Sequence, residues 1–215
     1  MKCDIKVIPL TEDGIVFYLS KYKPFRLRAL ECDPSSFGSN YAREAAFKDN
    51  EWAARLLNPL ATTFVAVVHT DDYIDKHGGE QKKTTSVLSS ATLWGPIPVS
   101  PDHLRLPRPN IDNDSDVPMH WEITGVWTAP EARRQGIAVQ LLQEAARTAH
   151  SQTTSQNRDC HLTVNVMHNN ATAILLYKRC GYTETISPNN HGQGPKTEQE
   201  PLVHLALLLP RAQGA

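Results

Sequence analysis

Polar and apolar residues alternate along Met1-Lys2-Cys3-Asp4-Ile5-Lys6-Val7, which predicts a first strand over residues 1–9 ending at Pro9. Residues 12–57 carry apolar positions at helical spacing and predict helices, broken near Cys32-Asp33-Pro34, with Asp33 or Ser35 as the cap of the helix after the break. The piece 41–57 places Ala45, Ala46, Trp52 and Leu56 on one helical face. The β-branched run Thr62-Thr63-Phe64-Val65-Ala66-Val67-Val68 predicts a strand, and residues 86–93 a second. Between them, residues 70–84 are polar, contain Gly78-Gly79 and predict a long hairpin-like connection.

Further on, Pro96, Pro98, Pro101, Pro107, Pro109 and Pro118 punctuate a stretch that also holds the polar tract 110–116. Few apolar anchors lie there, so it reads as an extended or disordered insertion. The pattern then predicts a strand (120–128), a helix (134–151), a strand (161–167), a helix (171–180) and a short strand (182–186). A second polar loop (187–200) precedes the last strand, 201–209. No internal repeat is visible. Strands that flank each crossover helix predict one mixed α/β sheet with helices covering its faces, in a single domain over residues 1–215 with polar insertions at about 96–118 and 187–200.

Composition narrows the function classes. A chain of 215 residues is long enough to bury a sizeable core. The formal net charge of -1 supplies no global basic field for nucleic acid or an anionic membrane. No apolar run approaches the roughly 20 residues of a membrane span, and the N-terminus lacks a signal-peptide core. The four cysteines are scattered without a CxxC pair, which argues against a metal or disulfide framework and fits a reducing, cytoplasmic setting. The nine histidines are dispersed, and His161 and His168 flank a strand without ligand spacing.

The most informative stretch runs from Trp121 to Val139. A strand enters a Pro-marked turn, and the basic segment Arg133-Arg134-Gln135-Gly136 opens an amphipathic helix with Val139, Leu141, Leu142, Ala145 and Ala146 as apolar positions. A helix N-terminus presents unpaired N–H donors and the positive end of its dipole, which together bind phosphate. Gly136 and the small Ala138 let the backbone approach a pyrophosphate, and Arg133 and Arg134 add charge. Many helices open on a basic turn, so this spacing alone does not separate a phosphate cradle from an ordinary helix start.

Arg133-x-x-Gly136-x-Ala138 resembles the acyl-CoA signature Q/R-x-x-G-x-G/A of the GNAT superfamily of N-acetyltransferases. It follows a strand ending in Trp127-Thr128-Ala129-Pro130, similar to that family's W-V/T-x-P turn. Downstream, Val166-x-x-x-Asn170-x-x-Ala173-Ile174-x-Leu176-Tyr177-x-x-x-Gly181-Tyr182 resembles the second family motif, which usually ends in Gly-Phe. Asp33-Pro34-Ser35-Ser36-Phe37-Gly38 is similar to the acceptor-side segment of one subgroup. The resemblance covers the chain outside the two polar insertions. It departs from the commonest pattern at Ala138, where glycine is frequent, and at Tyr182. It implies an α/β fold with a mixed, mostly antiparallel sheet of about seven strands and helices on both faces. It further implies acetyl-CoA as cosubstrate without a metal, and an acyltransferase acting on an amine. Val126, Trp127 and Thr128 would then pair with the pantetheine as an added strand. Arg134, Gln135, Gly136, Ile137, Ala138 and Val139 would hold the pyrophosphate, with Arg133 beside them. Asn170 would bond the pantetheine arm or a water.

Acyl transfer to an amine requires that the ammonium lose a proton, that the thioester oxygen be stabilised and that the thiolate gain a proton. Glu122 is the candidate base. It is a lone carboxylate among Met119, His120, Trp121, Ile123 and Thr124, and burial beside Trp121 would move it towards neutrality. Its placement relative to Gly136 resembles that of the general-base glutamate of some family members; a rim carboxylate or an amine anchor fits the sequence as well. Tyr177, where the family places a tyrosine over the cofactor sulfur, is the candidate acid, with a core tyrosine as the alternative. A backbone N–H near Val126 would face the oxyanion, and Gly125 admits a bulge that frees it. Cys160 and Cys180 read as buried small hydrophobes, which favours direct attack over an acyl-enzyme. Phe25, Phe37, Tyr41, Trp94, Trp121 and Trp127 offer aromatic walls to the acceptor, and Glu31, Asp33 and Glu122 offer charge for an ammonium. A small-molecule or amino-acid-like amine is the first choice of acceptor and a protein N-terminus or lysine the second. A non-catalytic acyl-CoA-binding module is a third reading, disfavoured by the presence of both Glu122 and Tyr177. The expected partners are acetyl-CoA and the acceptor, with no nucleic acid or membrane, and the sequence leaves monomer and homodimer both open.

Overall fold

The computed structural model describes residues 3–71, 83–97, 117–185 and 202–211, so the expectations for the polar stretches within 72–82, 98–116 and 186–201 lie outside the described residues. In chain order the elements are β1 (Asp4–Val7), α1 (Glu12–Phe17), a π-helical turn (Tyr18–Tyr22) and α2 (Lys23–Cys32). A 3-10 turn (Pro34–Ser36), α3 (Tyr41–Ala45), α4 (Asp49–Leu56), β2 (Ala61–Asp71), β3 (Lys83–Ile97) and β4 (Met119–Thr128) come next. The chain continues through a 3-10 turn (Pro130–Ala132), α5 (Ile137–Thr154), β5 (Cys160–Met167), α6 (Ala171–Arg179), β6 (Thr183–Thr185) and β7 (Leu202–Leu209). The strands are ordered β1-β2-β3-β4-β5-β7-β6 in a seven-stranded, mixed and mostly antiparallel sheet, the α/β class expected from the alternation of strands and helices.

The chain divides into two compact units, one of Met1–Thr92 with Gly125–Leu141 and one of Leu93–Thr124 with Leu142–Ala215. In the first unit, β1 pairs antiparallel with β2 from Asp4↔Val67 to Val7↔Phe64. Thr11 caps α1 by accepting from the Gly14 amide, and helix continues through the π turn into α2. Tyr18, Tyr22, Phe25, Ala29, Trp52 and Leu56 bury their side chains on Val65 and Val67 of β2 and on Trp127. Tyr18 and Tyr22 stack at 4.5 Å between ring centroids, and Phe25 meets Trp127 edge-on at 5.0 Å.

The 41–57 segment differs from its sequence expectation. It forms two short helices, and Ala45 and Ala46 are exposed while Glu44 beside them is buried. The cause is an ion-pair cluster. Arg26 donates to Glu44 Oε1 and Oε2 at 2.8 and 3.1 Å, and Arg55 donates to Oε2 at 3.1 Å. Two guanidinium partners let a carboxylate take a core position that periodicity assigns to an alanine. Burial alone would raise the Glu44 pKa; the hydrogen bond and charge of Arg26, with Arg55, outweigh it and hold it below the ordinary value. Asp33 makes no side-chain cap; Asn40 caps α3 by accepting from the Arg43 amide at 2.9 Å.

In the second unit, β4 and β5 run parallel in register from Met119↔Cys160 to Glu122↔Thr163, and β7 pairs antiparallel with β5 along Cys160↔Leu209 to Met167↔Leu202. β6 adds to β7. Trp121, Ile123, Leu162, Val164 and Val166 are buried, the period-two signature of one covered sheet face. Among the described residues, no helix is long and apolar enough to cross a membrane.

Candidate functional site

Within the first unit, the end of β4 and the start of α5 form the segment that the sequence singled out. Gly125 has φ +61° in the strand, a left-handed bend that only glycine takes without strain, and its carbonyl accepts from Ser90 Oγ at 3.1 Å. The bend turns the peptide that carries the Val126 N–H. Ser89, fully buried, donates from Oγ to the Trp127 carbonyl at 2.8 Å and shares a 2.7 Å hydrogen bond with Thr128 Oγ1. Val126 and Thr128 are half-buried and Trp127 is buried.

The helix starts three residues later than its predicted start at Arg134, because Arg134 and Gly136 are both left-handed, at φ 65° and 77°. Positive φ at Arg134 and Gly136 alternates with negative φ at Gln135, the kind of backbone alternation from which anion-binding nests are built. A Cβ added to Gly136 would meet nothing within 4 Å, so the space in front of the loop is open. The first intrahelical bond runs from the Gln140 amide to the Gly136 carbonyl at 3.1 Å. The amides of Ile137, Ala138 and Val139 therefore precede the first turn's closure, where helical donors lack intrahelical partners. Ile137 is buried, Ala138 and Val139 are half-buried, and Arg134, Gln135 and Gly136 are exposed. Open space beside Gly136 at the positive end of a helix dipole is a setting compatible with a diphosphate.

Arg133 is held elsewhere. Its Nη2 donates to Asp33 Oδ2 at 2.6 Å and its Nε to the Thr128 carbonyl at 3.0 Å. Asp33 Oδ2 also accepts from the Trp127 indole N–H at 2.6 Å. Asp33, which the sequence offered to an ammonium, is thus occupied by an indole and a guanidinium. Phe25 and Trp127 are likewise core residues within this unit, while Phe37 is half-buried and Tyr41 exposed.

In the second unit, Glu122 is half-buried and accepts from Asn165 Nδ2 at 2.9 Å. Trp121 is fully buried on the opposite face of β4, so the expected burial of the carboxylate against that ring does not occur: successive strand residues point to opposite sides. On the face of Glu122, His120 Nε2 and Thr163 Oγ1 lie 2.8 Å apart, and the His120 and His161 rings sit 5.2 Å apart. Burial holds His120 below the ordinary imidazole value.

Tyr177, on α6, is 4% exposed and meets Tyr182 edge-on at 5.5 Å. Burial, with the nearby Cys180, pushes its phenol well above the ordinary value, so it stays protonated at neutral pH. Asn170 caps α6: its Oδ1 accepts from the Ala173 amide at 3.1 Å. Burial pushes the Cys160 thiol up to about 12 and raises Cys180 as well, which keeps both from acting as nucleophiles near neutrality. No group of three or more metal-ligating side chains is gathered among the described residues.

Three features escaped the sequence reading. Asn165 was detectable as the third of the alternating polar residues His161, Thr163 and Asn165 on the strand. The left-handed Arg134 was not, since arginine has no preference for that conformation. Nor was the Asp33 contact, which joins residues 100 apart in sequence.

Residues 108–184 match the family described as acetyltransferase (GNAT) domain. Over that stretch the chain is similar to a GNAT acetyltransferase domain. No curated protein matches its sequence. Among solved structures, it resembles an acetyltransferase of the GNAT family from Streptococcus pneumoniae at 12% identity over 97% of this chain and 100% of that one, with a TM-score of 0.57. NAA60 of Arabidopsis thaliana, crystallised in complex with acetyl-CoA, matches at 15% identity over 96% of this chain and 98% of that one, with a TM-score of 0.56. The same Arabidopsis protein in complex with a bisubstrate analogue matches at 14% identity over the same shares, with a TM-score of 0.54. At these identities the likeness is one of fold.

Proposed function

We propose that the protein transfers an acetyl group from acetyl-CoA to a primary amine by direct attack. The observation that carries this reading is the loop in front of α5, where Arg134 and Gly136 are both left-handed inside a family signature. Backbone amides from Arg134 to Val139 hold the pyrophosphate, the backbone of Val126, Trp127 and Thr128 binds the pantetheine, and the Val126 N–H faces the thioester oxygen. Asn170, while capping α6, flanks the pantetheine arm. Glu122, held by Asn165, takes the proton from the ammonium, directly or through water, and Tyr177 returns one to the departing sulfur. The reading rests on a phenol held protonated and on buried thiols unsuited to an acyl-enzyme route.

The acceptor in this reading is a small or amino-acid-like amine. The net charge of -1 gives no acidic field for basic tails, and Asp33 is taken up by Arg133 and the Trp127 indole. Calorimetry with acetyl-CoA against wild type and Gly136→Glu tests the first half. Glutamate there adds bulk and negative charge where the pyrophosphate lies, and binding is expected to vanish in a folded variant. Unchanged affinity would end the reading. An amine-library acetylation screen read by mass spectrometry tests the second half, with peptides carrying free N-termini as the competing arm.

A further inference from the structure

Arg134 is the strained member of the phosphate loop. A left-handed conformation costs a non-glycine residue roughly 1–2 kcal/mol and persists where its surroundings over-determine it. The residue immediately before it, Arg133, has an anchored side chain. Its guanidinium reaches Asp33 Oδ2 at 2.6 Å and the Thr128 carbonyl at 3.0 Å, and lies 5.9 Å from the Trp127 ring centroid. Asp33 is itself fixed. Its amide donates to the Ala29 carbonyl at 3.0 Å, its carbonyl accepts from the Ser36 amide at 3.0 Å, and its Oδ2 takes the Trp127 indole N–H at 2.6 Å. A second tie runs in parallel: Arg28 pairs in bidentate fashion with Glu131 at 2.8 and 2.9 Å, and the Glu131 carbonyl accepts from Gln135 Nε2 at 3.3 Å. The C-terminal end of α2 thereby grips both ends of the turn that delivers the loop.

From this geometry we infer that Asp33 and Arg133 are positioning residues: they form a strut that holds the phosphate loop in its left-handed shape, and the Arg133 side chain is not itself a phosphate ligand. The inference rests on the proposed acetyl-CoA reading and deepens it. A basic residue at the head of the signature is read as charge for the pyrophosphate; here its charge is directed to Asp33. Loss of the strut lets residue 134 relax to negative φ, which re-aims the 134–136 amides and weakens binding without removing any group that touches the ligand.

The test is a double-mutant cycle on acetyl-CoA affinity, measured by calorimetry at two salt concentrations. Asp33→Asn is nearly isosteric and keeps an oxygen for the Trp127 indole, and thermal unfolding checks that each variant is folded. Asp33→Asn and Arg133→Gln are each expected to weaken binding about tenfold, and the double variant no more than either single one, as for one broken unit. The ionic-strength dependence of binding should match wild type in all three. Arg133→Lys keeps the charge but cannot span Asp33 and the Thr128 carbonyl together, so it should bind as weakly as Arg133→Gln. The inference is overturned if Asp33→Asn binds with full affinity. It is equally overturned if Arg133→Lys retains wild-type affinity, or if Arg133→Gln alone flattens the salt dependence and its loss adds to that of Asp33→Asn. A wild type that does not bind acetyl-CoA at all would sink the proposed function, and the strut with it.

Discussion

A phenol sealed as tightly as Tyr177 cannot report its own titration in an ordinary pH profile. Burial raises its pKa, so it is fully protonated across the range in which enzymes are assayed. As a general acid it is then always loaded, and any limb between about pH 6 and 9 must belong to another group or to the amine itself. Tyr177→Phe is expected to lower kcat by about 10²- to 10⁴-fold while leaving the shape of the profile unchanged. Glu122→Gln should lower kcat on a similar scale while changing acetyl-CoA affinity much less, measured with several amines of different basicity. If Tyr177→Phe moved a limb, or if Glu122→Gln kept full kcat across those amines, the assigned roles would be wrong. The identities of these two residues were legible because each sits in a recognisable pattern. Their surroundings were less so. That Trp121 and Glu122 occupy opposite faces follows from strand alternation alone, whereas Asn165 becomes the carboxylate's partner only through a parallel register that no local pattern encodes.

At the scale of elements, the described strands and the two long helices stand where hydrophobic period places them, and the deviations have local causes. β2 runs on through His69-Thr70-Asp71 and β3 begins early at Lys83-Thr84-Thr85, because polar residues continue a ladder as readily as apolar ones once backbone pairing is established. α5 begins late because the loop before it is shaped by left-handed residues rather than by helical ones. In the 41–57 segment, charge pairing with Arg26, 18 residues away, seats Glu44 in the core where apolar spacing placed alanines. α6 offers a direct check on an element that is capped by a motif residue. Asn170→Ala removes the bond to the Ala173 amide and should destabilise the protein by about 1 kcal/mol. Asn170→Asp, which keeps the cap, should restore that stability. Thermal unfolding of both variants separates the cap from any part that Asn170 plays with ligand, since acetyl-CoA affinity should stay reduced in Asn170→Asp if its amide group bonds the pantetheine.

For the whole molecule, the acid limit of stability is set in part by Glu44. Its folded pKa is depressed, so its contribution is fully present above the unfolded glutamate value of about 4.3 and is lost as pH falls below that value through the folded one. A chemical-denaturation series from about pH 7 down to about pH 3 should show this loss, and Glu44→Gln should flatten it. At neutral pH, Glu44→Gln breaks a buried pair by removing one partner and leaves Arg26 without its counter-charge. A cost of about 3–5 kcal/mol is expected.

The outer strands of the sheet carry a different consequence, one of colloidal behaviour. With a formal net charge of -1, the molecules repel one another weakly near neutrality. Among the described residues, protection against strand-to-strand growth then depends on how the outermost strands are dressed. β1 and β6, the first and last strands in the sheet order, are only four and three residues long. Asp4 and Lys6 lie along the one, and Glu184, paired with Lys178 at 2.7 Å, along the other. Edges this short and this charged give an incoming strand little ladder to join and oblige it to bury ions. Concentrated solutions should therefore stay free of fibrils in native buffer, while replacing Lys6 and Glu184 by valine should bring a lag-phase rise in thioflavin fluorescence before any loss of fold is detectable.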